Sequence, residues 1–420
     1  MPDPTDTTSA ERVIARCREL ASCTETPGSI CRTFLSPPMR DCHRKIVSWV
    51  EAAGGKVTID AAGNLRGVYP ADHGLRPRLM IGSHLDSVPN AGAFDGVLGV
   101  VIAIALLEGL DPNSLPFAIE TVGFSEEEGM RFGTPFIGSR ALVGRLGDEL
   151  LSVQDATGIS VRAAIKKFGL DPSGIPQAEL SADTFAYLEF HIEQGPVLES
   201  LNLPLAAVEA IVGQTRMQFI FHGRASHAGT TPMHLRHDAL AAAAEWIVVV
   251  ECAAQQDPEL VATVGRIEAS PGAANVIAGE ARATLDLRHK SDNDRQQAVD
   301  NLIQSAHQIA ERRGISVETR TLLDQPAVKM DSFLVDQIEE AIRKTGCEPH
   351  RMVSGAGHDA MIMAGKVPSA MIFLRSPGGI SHHPSESVAV RDVAKAIECG
   401  SHLLQQLARS PQFRDRMSRA

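Results

Sequence analysis

Apolar positions recur near the 3.6-residue period in the first fifty residues. Val13, Ile14, Cys17 and Leu20 mark the buried face of one helix, which Ser9 is placed to cap. Ile46, Val47 and Val50 mark a second, over residues 39–53, which stops at Gly54-Gly55. Short apolar runs then alternate with longer ones. Residues 79–81, 117–124 and 185–190 read as strands, and 97–107 reads as a helix apolar on all sides. Such alternation predicts an α/β fold, a mainly parallel sheet with helices on both faces.

The middle of the chain has a different rhythm. Residues 217–222 alternate as a strand, 238–254 form an Ala-rich helix, and 261–268 and 280–288 are strand-like. A helix over 292–313 and a strand over 316–322 complete the order β-α-β-β-α-β, that of a small α+β ferredoxin-like domain. After Pro326 the first rhythm resumes, with a helix over 332–344, a strand over 370–374 and a helix over 392–408. The pattern predicts one domain built from residues 1–211 and 326–420, interrupted by an inserted domain at 212–325.

Length agrees, since 420 residues exceed what one typical core holds. The net charge of −11, with both signs mixed along the chain, argues against a nucleic-acid or anionic-membrane partner. The longest apolar run, 97–107, is too short to span a bilayer, and the polar, acid-bearing start does not read as a secretory leader. Seven cysteines form no CxxC pair, which suits reduced thiols and a cytoplasmic location.

Four predicted strands run into groups that can bind a metal. The first leads to His84, with Asp95 further on, and the second to Glu126, Glu127 and Glu128. The third leads to His191; the fourth, beyond the insertion, leads to His382 and His383. Ligands of open α/β sheets collect outside the carboxyl ends of strands, so these distant groups can converge. Imidazoles and carboxylates suit Zn²⁺ and leave a position for water; the same donors accept Mn²⁺, Co²⁺ or Ni²⁺. One histidine at a strand end has an ordinary explanation. Three adjacent acids can also simply start the next segment near a helix N-terminus, but they repel one another, and a nearby cation would account for them.

The same residues lie in runs that are specific together: Gly82-Ser-His-Leu-Asp-Ser-Val88, Glu127-Glu-Gly-Met-Arg-Phe132, His191-Ile-Glu-Gln-Gly-Pro196, His227-Ala-Gly-Thr-Thr-Pro-Met233 and Ser381-His382. In these runs the chain resembles the two-metal aminoacylase and carboxypeptidase superfamily. Within it, the resemblance is to the branch of allantoate amidohydrolases, N-carbamoyl-L-amino-acid hydrolases and β-ureidopropionases, from Thr33-Phe34 to Pro384-Ser-Glu386. It implies two divalent metals per subunit, one held by His84, Asp95 and His191, the other by Asp95, Glu128 and His382. Asp86 would orient the His84 imidazole, and Glu127 would be the general base. The register among the three glutamates follows by counting back from Gly129, and His383 stands as the alternative to His382. The stretch Asn90-Ala-Gly-Ala-Phe-Asp95 departs from the double glycine usual in relatives.

From the inserted domain, a lid by resemblance, His227 would stabilise the oxyanion, reaching across from the partner subunit of a homodimer. Arg216, Asn275, Arg288 and Gln194, with the backbone at Gly357, would bind substrate. A guanidinium suits a carboxylate through two parallel charge-assisted bonds. The implied reaction is hydrolysis of a linear, anionic ureido or N-carbamoyl acid. Polar binding residues and an aromatic content of 4% tilt the expectation toward allantoate over an amino acid with a bulky apolar side chain. The alternatives are an N-carbamoyl-L-amino acid or a β-ureido acid, then a dipeptidase or aminoacylase activity, then a non-catalytic metal-binding protein.

Overall fold

A computed structural model describes residues 4–417, apart from 73, 75, 112 and 113. Residues Ala210–Lys329 form one compact unit, and the chain on either side of them, up to Glu209 and from Met330, forms the other.

The larger unit is built on a mixed sheet. Its strands are β1 (Lys56–Ile59), β2 (Leu65–Tyr69), β3 (Arg78–His84), β4 (Ala118–Phe124), β5 (Thr184–Ile192), β6 (Leu205–Ile211), β7 (Arg351–Ser354) and β8 (Ser369–Leu374). They lie in the order β1-β2-β4-β3-β5-β8-β6, with β7 also on β6. The centre is parallel as the alternation predicts: β3 pairs β4 and β5, and β8 pairs β5, all in parallel. Antiparallel strands flank it, β1 and β2 on one side and β6 on the other.

Every residue of β4, β5 and β8 is buried. Only a sheet covered on both faces hides both sets of alternating side chains, which explains their unbroken apolar runs. Helix α1 (Pro4–Ala21) starts earlier than the pattern suggests. Ser9 therefore lies within the helix rather than capping it, where its hydroxyl accepts a bond from Arg12. Helix α2 (Pro37–Ala52) has Ser36 at its N-cap and proline in its first turn, a position where the missing N–H costs nothing. Helix α3 (Val97–Glu108) is buried over its first eleven residues. Among the described residues, no helix is long and apolar enough to cross a membrane. All seven cysteines are free thiols.

The second unit is a four-stranded antiparallel sheet. Its strands run in the order Ser316–Gln325, Gly213–His222, Glu280–His289, Val261–Ser270. Helices Ala239–Gln256 and Asp292–Arg312 start at the side-chain caps Asp238 and Ser291. They share one core with the sheet, in which Met217, Phe219, Phe221, Ala281, Ala283, Leu285 and Leu287 meet Trp246, Val250, Leu302 and Ile309. Alternation along the strands turns the even-numbered partners Gln214, Arg216, Asp286 and Arg288 to the opposite face. The unit closes by pairing its two ends, Ile211 with Val328 and Ala210 with Lys329. That pairing carries its limits a few residues beyond the apolar pattern on each side. In the larger unit the chain rejoins itself where the Met330 N–H donates to the Glu209 carbonyl, 3.0 Å away.

Candidate functional site

The carboxyl ends of β3 and β5 present His84 and the His191 side chain, both almost fully buried. Their inner nitrogens are tied to main-chain oxygens: His84 Nδ1 lies 3.1 Å from the Asp86 carbonyl, and His191 Nδ1 lies 2.9 Å from the Ile192 carbonyl. Both Nε2 atoms therefore turn toward Asp95, at 3.8 Å for His84 and 3.3 Å for His191. Anchoring one ring nitrogen so that the other is free is how proteins set imidazoles for a metal.

Asp95 leads into α3 through Gly96, whose φ of +65° suits glycine, and where a Cβ would lie 2.4 Å from the His84 ring. On its other side Asp95 Oδ2 meets His382 Nε2 at 3.0 Å, and His382 also approaches Glu128 at 3.4 Å. His382, on the loop after β8, adopts φ +55°. Two donor triads thus share one carboxylate: His84, Asp95 and His191, and Asp95, Glu128 and His382. Within each triad the donor atoms lie within 4.8 Å of one another. Glu127 belongs to a third such group with His84 and Glu128, beside the triads.

Asp86 sets both sides of this arrangement. Its carboxylate accepts the Glu127 N–H at 2.9 Å and the Glu128 N–H at 3.1 Å, and lies 3.4 Å from His84 Nδ1. The strand ending in His84 and the loop of three glutamates are thereby held together. Glu126 is fully buried and enters neither triad. His383 is exposed, its Nδ1 accepts the Ser385 N–H at 3.1 Å, and it joins no donor group among the described residues.

The charges follow from this crowding. Burial raises the Glu127 carboxyl well above the usual range; His84 opposes this, while Glu128, Asp359 and Asp86 add to it. Burial likewise lifts Glu128 to about 7. Asp95 moves the other way: its hydrogen bond from His382, with His191 and His84 nearby, overcomes burial and lowers its pKa. Burial takes His191 down to about 4, against the pull of Asp95. Imidazoles that each turn Nε2 to a shared carboxylate, with clustered carboxylates beside them, form a donor set that a divalent cation fits.

Gln194 is placed at this cluster, its Nε2 donating to Asp95 at 3.1 Å and to the Ser381 hydroxyl at 3.2 Å. Gly357 lies under the Phe136 ring and precedes His358, whose ring packs 4.4 Å from that of His191. The remaining sequence-derived residues belong to the second unit. His227 and Asn275 are brought together there by a short ladder: His227 pairs with Val276, and the Asn275 carbonyl accepts the Ala228 N–H at 2.9 Å. His227 Nδ1 accepts the N–H groups of Gly229 and Thr230, at 3.1 and 3.2 Å. The neutral ring then carries its proton on Nε2, an exposed donor. Arg216 and Arg288 converge on Asp286, each at 2.8 Å, and Gln214 joins them at 2.6 Å. Two guanidinium groups on one carboxylate leave a net positive charge.

Sequence reasoning passed over several neighbours. Glu189, fully buried, accepts the Ser83 hydroxyl at 2.8 Å and the Ala360 N–H at 2.9 Å. It lies two residues before His191 on the same face of β5, and that spacing was its one signal. Ser381 and Glu386, which stand in the quoted runs without a role, lie on either side of His382 and contact the Asp95 loop.

A sequence model of peptidase family M20/M25/M40 matches residues 80–406. The chain is 36% identical to allantoate deiminase 2 of Glycine max over 432 residues, covering 95% of this chain and 89% of that protein. It is 38% identical to an N-carbamoyl-L-amino acid amidohydrolase of Geobacillus stearothermophilus over 402 residues, covering 95% and 98%. A solved structure of a hydantoinase/carbamoylase family amidase from Burkholderia multivorans has a TM-score of 0.89 at 30% identity, covering 96% of this chain and 98% of that one.

Proposed function

Because the chain belongs to peptidase family M20/M25/M40, we propose that it is a dinuclear-metal amidohydrolase acting on a linear ureido acid, with allantoate as preferred substrate. The observation that carries the reading is the pair of donor triads sharing the buried Asp95, with Glu127 beside them. His84, Asp95 and His191, and Asp95, Glu128 and His382, would hold two divalent cations, and the chemistry these would supply is Lewis-acid polarisation of a carbonyl and acidification of a water.

Glu127 takes a proton from the attacking water and gives it to the leaving nitrogen, a role that suits a carboxyl with a raised pKa. The Nε2–H of His227 and the Asn275 amide offset the oxyanion charge. Arg216 and Arg288, oriented by Asp286, bind the substrate carboxylate, and Gln194 steadies the second polar arm. Hydrolysis of one ureido arm consumes one water and releases carbon dioxide and ammonia, leaving an amine. We place the second unit as a lid in a homodimer, with His227 serving the partner's site.

Two tests arise here. His382→Ala is expected to lose one of two metals and nearly all activity, whereas His383→Ala keeps both metals; elemental analysis of each variant decides. Metal loss confined to His383→Ala would reverse the ligand choice. For substrate, kcat/KM compared at equal metal loading is expected to be highest for allantoate, ahead of N-carbamoyl-L-methionine and 3-ureidopropionate. Arg288→Ala should depress it strongly by removing a charged partner. A roughly hundredfold preference for the methionine derivative, about 2.7 kcal/mol of discrimination, would move the enzyme to N-carbamoyl amino acids.

A further inference from the structure

Asp95 is the donor common to the two triads, so the position of its backbone bears on the register between them. Asp95 lies on a loop, and so does His382; His84 and His191 end strands of the sheet centre. The Glu386 side chain joins the backbones of the two loops. Glu386, almost fully buried and 291 residues away in sequence, accepts the Asp95 N–H on Oε1 at 3.1 Å. The same oxygen accepts the Phe94 N–H at 2.8 Å.

Glu386 is also tied to its own loop. Its N–H donates to the His383 carbonyl at 3.0 Å, closing the turn that directly follows His382. The Ser381 hydroxyl lies 3.4 Å from both Asp95 Oδ2 and Glu386 Oε2, and donates to one at a time. Space for the brace comes from Gly92. A Cβ there would fall 2.3 Å from the Glu386 side chain, although the Gly92 backbone lies outside the left-handed region and would accept alanine. The run Ala91-Gly92-Ala93 before Phe94-Asp95 therefore needs its glycine for Glu386 rather than for a turn.

We propose that Glu386 is a positioning residue that braces the Asp95 loop against the His382 loop and so keeps the second metal position formed. This rests on the metal-pair reading of the site. The brace acts through bonds accepted from two backbone N–H groups, which an amide oxygen can also accept. Loss of a partner that orients metal ligands typically costs about 10- to 100-fold in affinity. The effect should fall on the Asp95, Glu128 and His382 position, because His382 is half exposed and lacks the support of a strand.

Titration of the metal-stripped full chain with Co²⁺, followed by visible absorption and calorimetry, tests this. The wild type is expected to take two equivalents. Glu386→Ala should bind the first nearly as the wild type does and the second at least about tenfold more weakly, while Glu386→Gln stays within about threefold of wild type. Gly92→Ala should weaken the second equivalent by displacing Glu386, yet add nothing in the Glu386→Ala background; it carries the test should Glu386→Ala not fold. Wild-type affinity in Glu386→Ala, equal loss in Glu386→Gln, or additive losses in the double variant would overturn the brace. A wild type that binds no second equivalent would instead overturn the metal-pair reading beneath it.

Discussion

Glu127→Gln is expected to retain both metals and lose about 10²- to 10⁴-fold in kcat, the range that general acid–base catalysis contributes. The substitution keeps size and shape, and the main chain at Glu127 is held independently by the Asp86 carboxylate. The amide cannot take the proton of water, so only the proton transfer is removed. Glu128→Gln should behave differently, because Glu128 belongs to the triad with Asp95 and His382. There the loss of a charged donor weakens metal binding first, and activity falls with occupancy. Elemental analysis paired with ammonia release separates the two. Equal metal loss in both variants would mean that Glu127 is a ligand, and near-normal turnover in Glu127→Gln would remove it as the base.

The parts of this site legible from sequence are those carried by long apolar strands. β3 and β5 are runs of buried residues that end in His84 and His191, and the parallel centre brings those ends together. On loops, Asp95, Glu128 and His382 are legible only through the runs that carry the family resemblance, and the residues that support them from short elements are not legible at all. The β1–β2 hairpin is an example: the alternating exposure of β1 is weak over four residues, and the turn between the strands, Asp60-Ala-Ala-Gly-Asn64, reads as ordinary loop. Yet Asn64, fully buried, accepts the Ser125 N–H at 3.0 Å and so fixes the start of the glutamate loop. β6 hides in the same way, since its Ala-rich sequence suits a helix as well as a strand and only pairing with β8 decides. Glu386 is harder still, because its partners lie nearly 300 positions away and no local periodicity marks a carboxylate that accepts backbone N–H groups.

His227→Ala is expected to lower kcat by about 10²- to 10³-fold, the effect of removing one oxyanion donor. Metal content should not change, because His227 lies in Ala210–Lys329 and every ligand of the two triads lies outside it. That separation makes the variant informative. A ligand variant and an oxyanion variant fail for different reasons, and the proposed homodimer would combine their intact halves. In a mixed dimer of His227→Ala and Glu127→Gln subunits, one site would contain Glu127 from the first chain and His227 from the second. Mixing the two inactive proteins under conditions that exchange subunits should then restore activity, up to one working site per mixed dimer. Turnover that stays absent after exchange has been demonstrated would assign His227 to the site of its own chain. Metal loss in His227→Ala would remove it from the oxyanion role, because a donor to the substrate oxygen has no part in holding the cations.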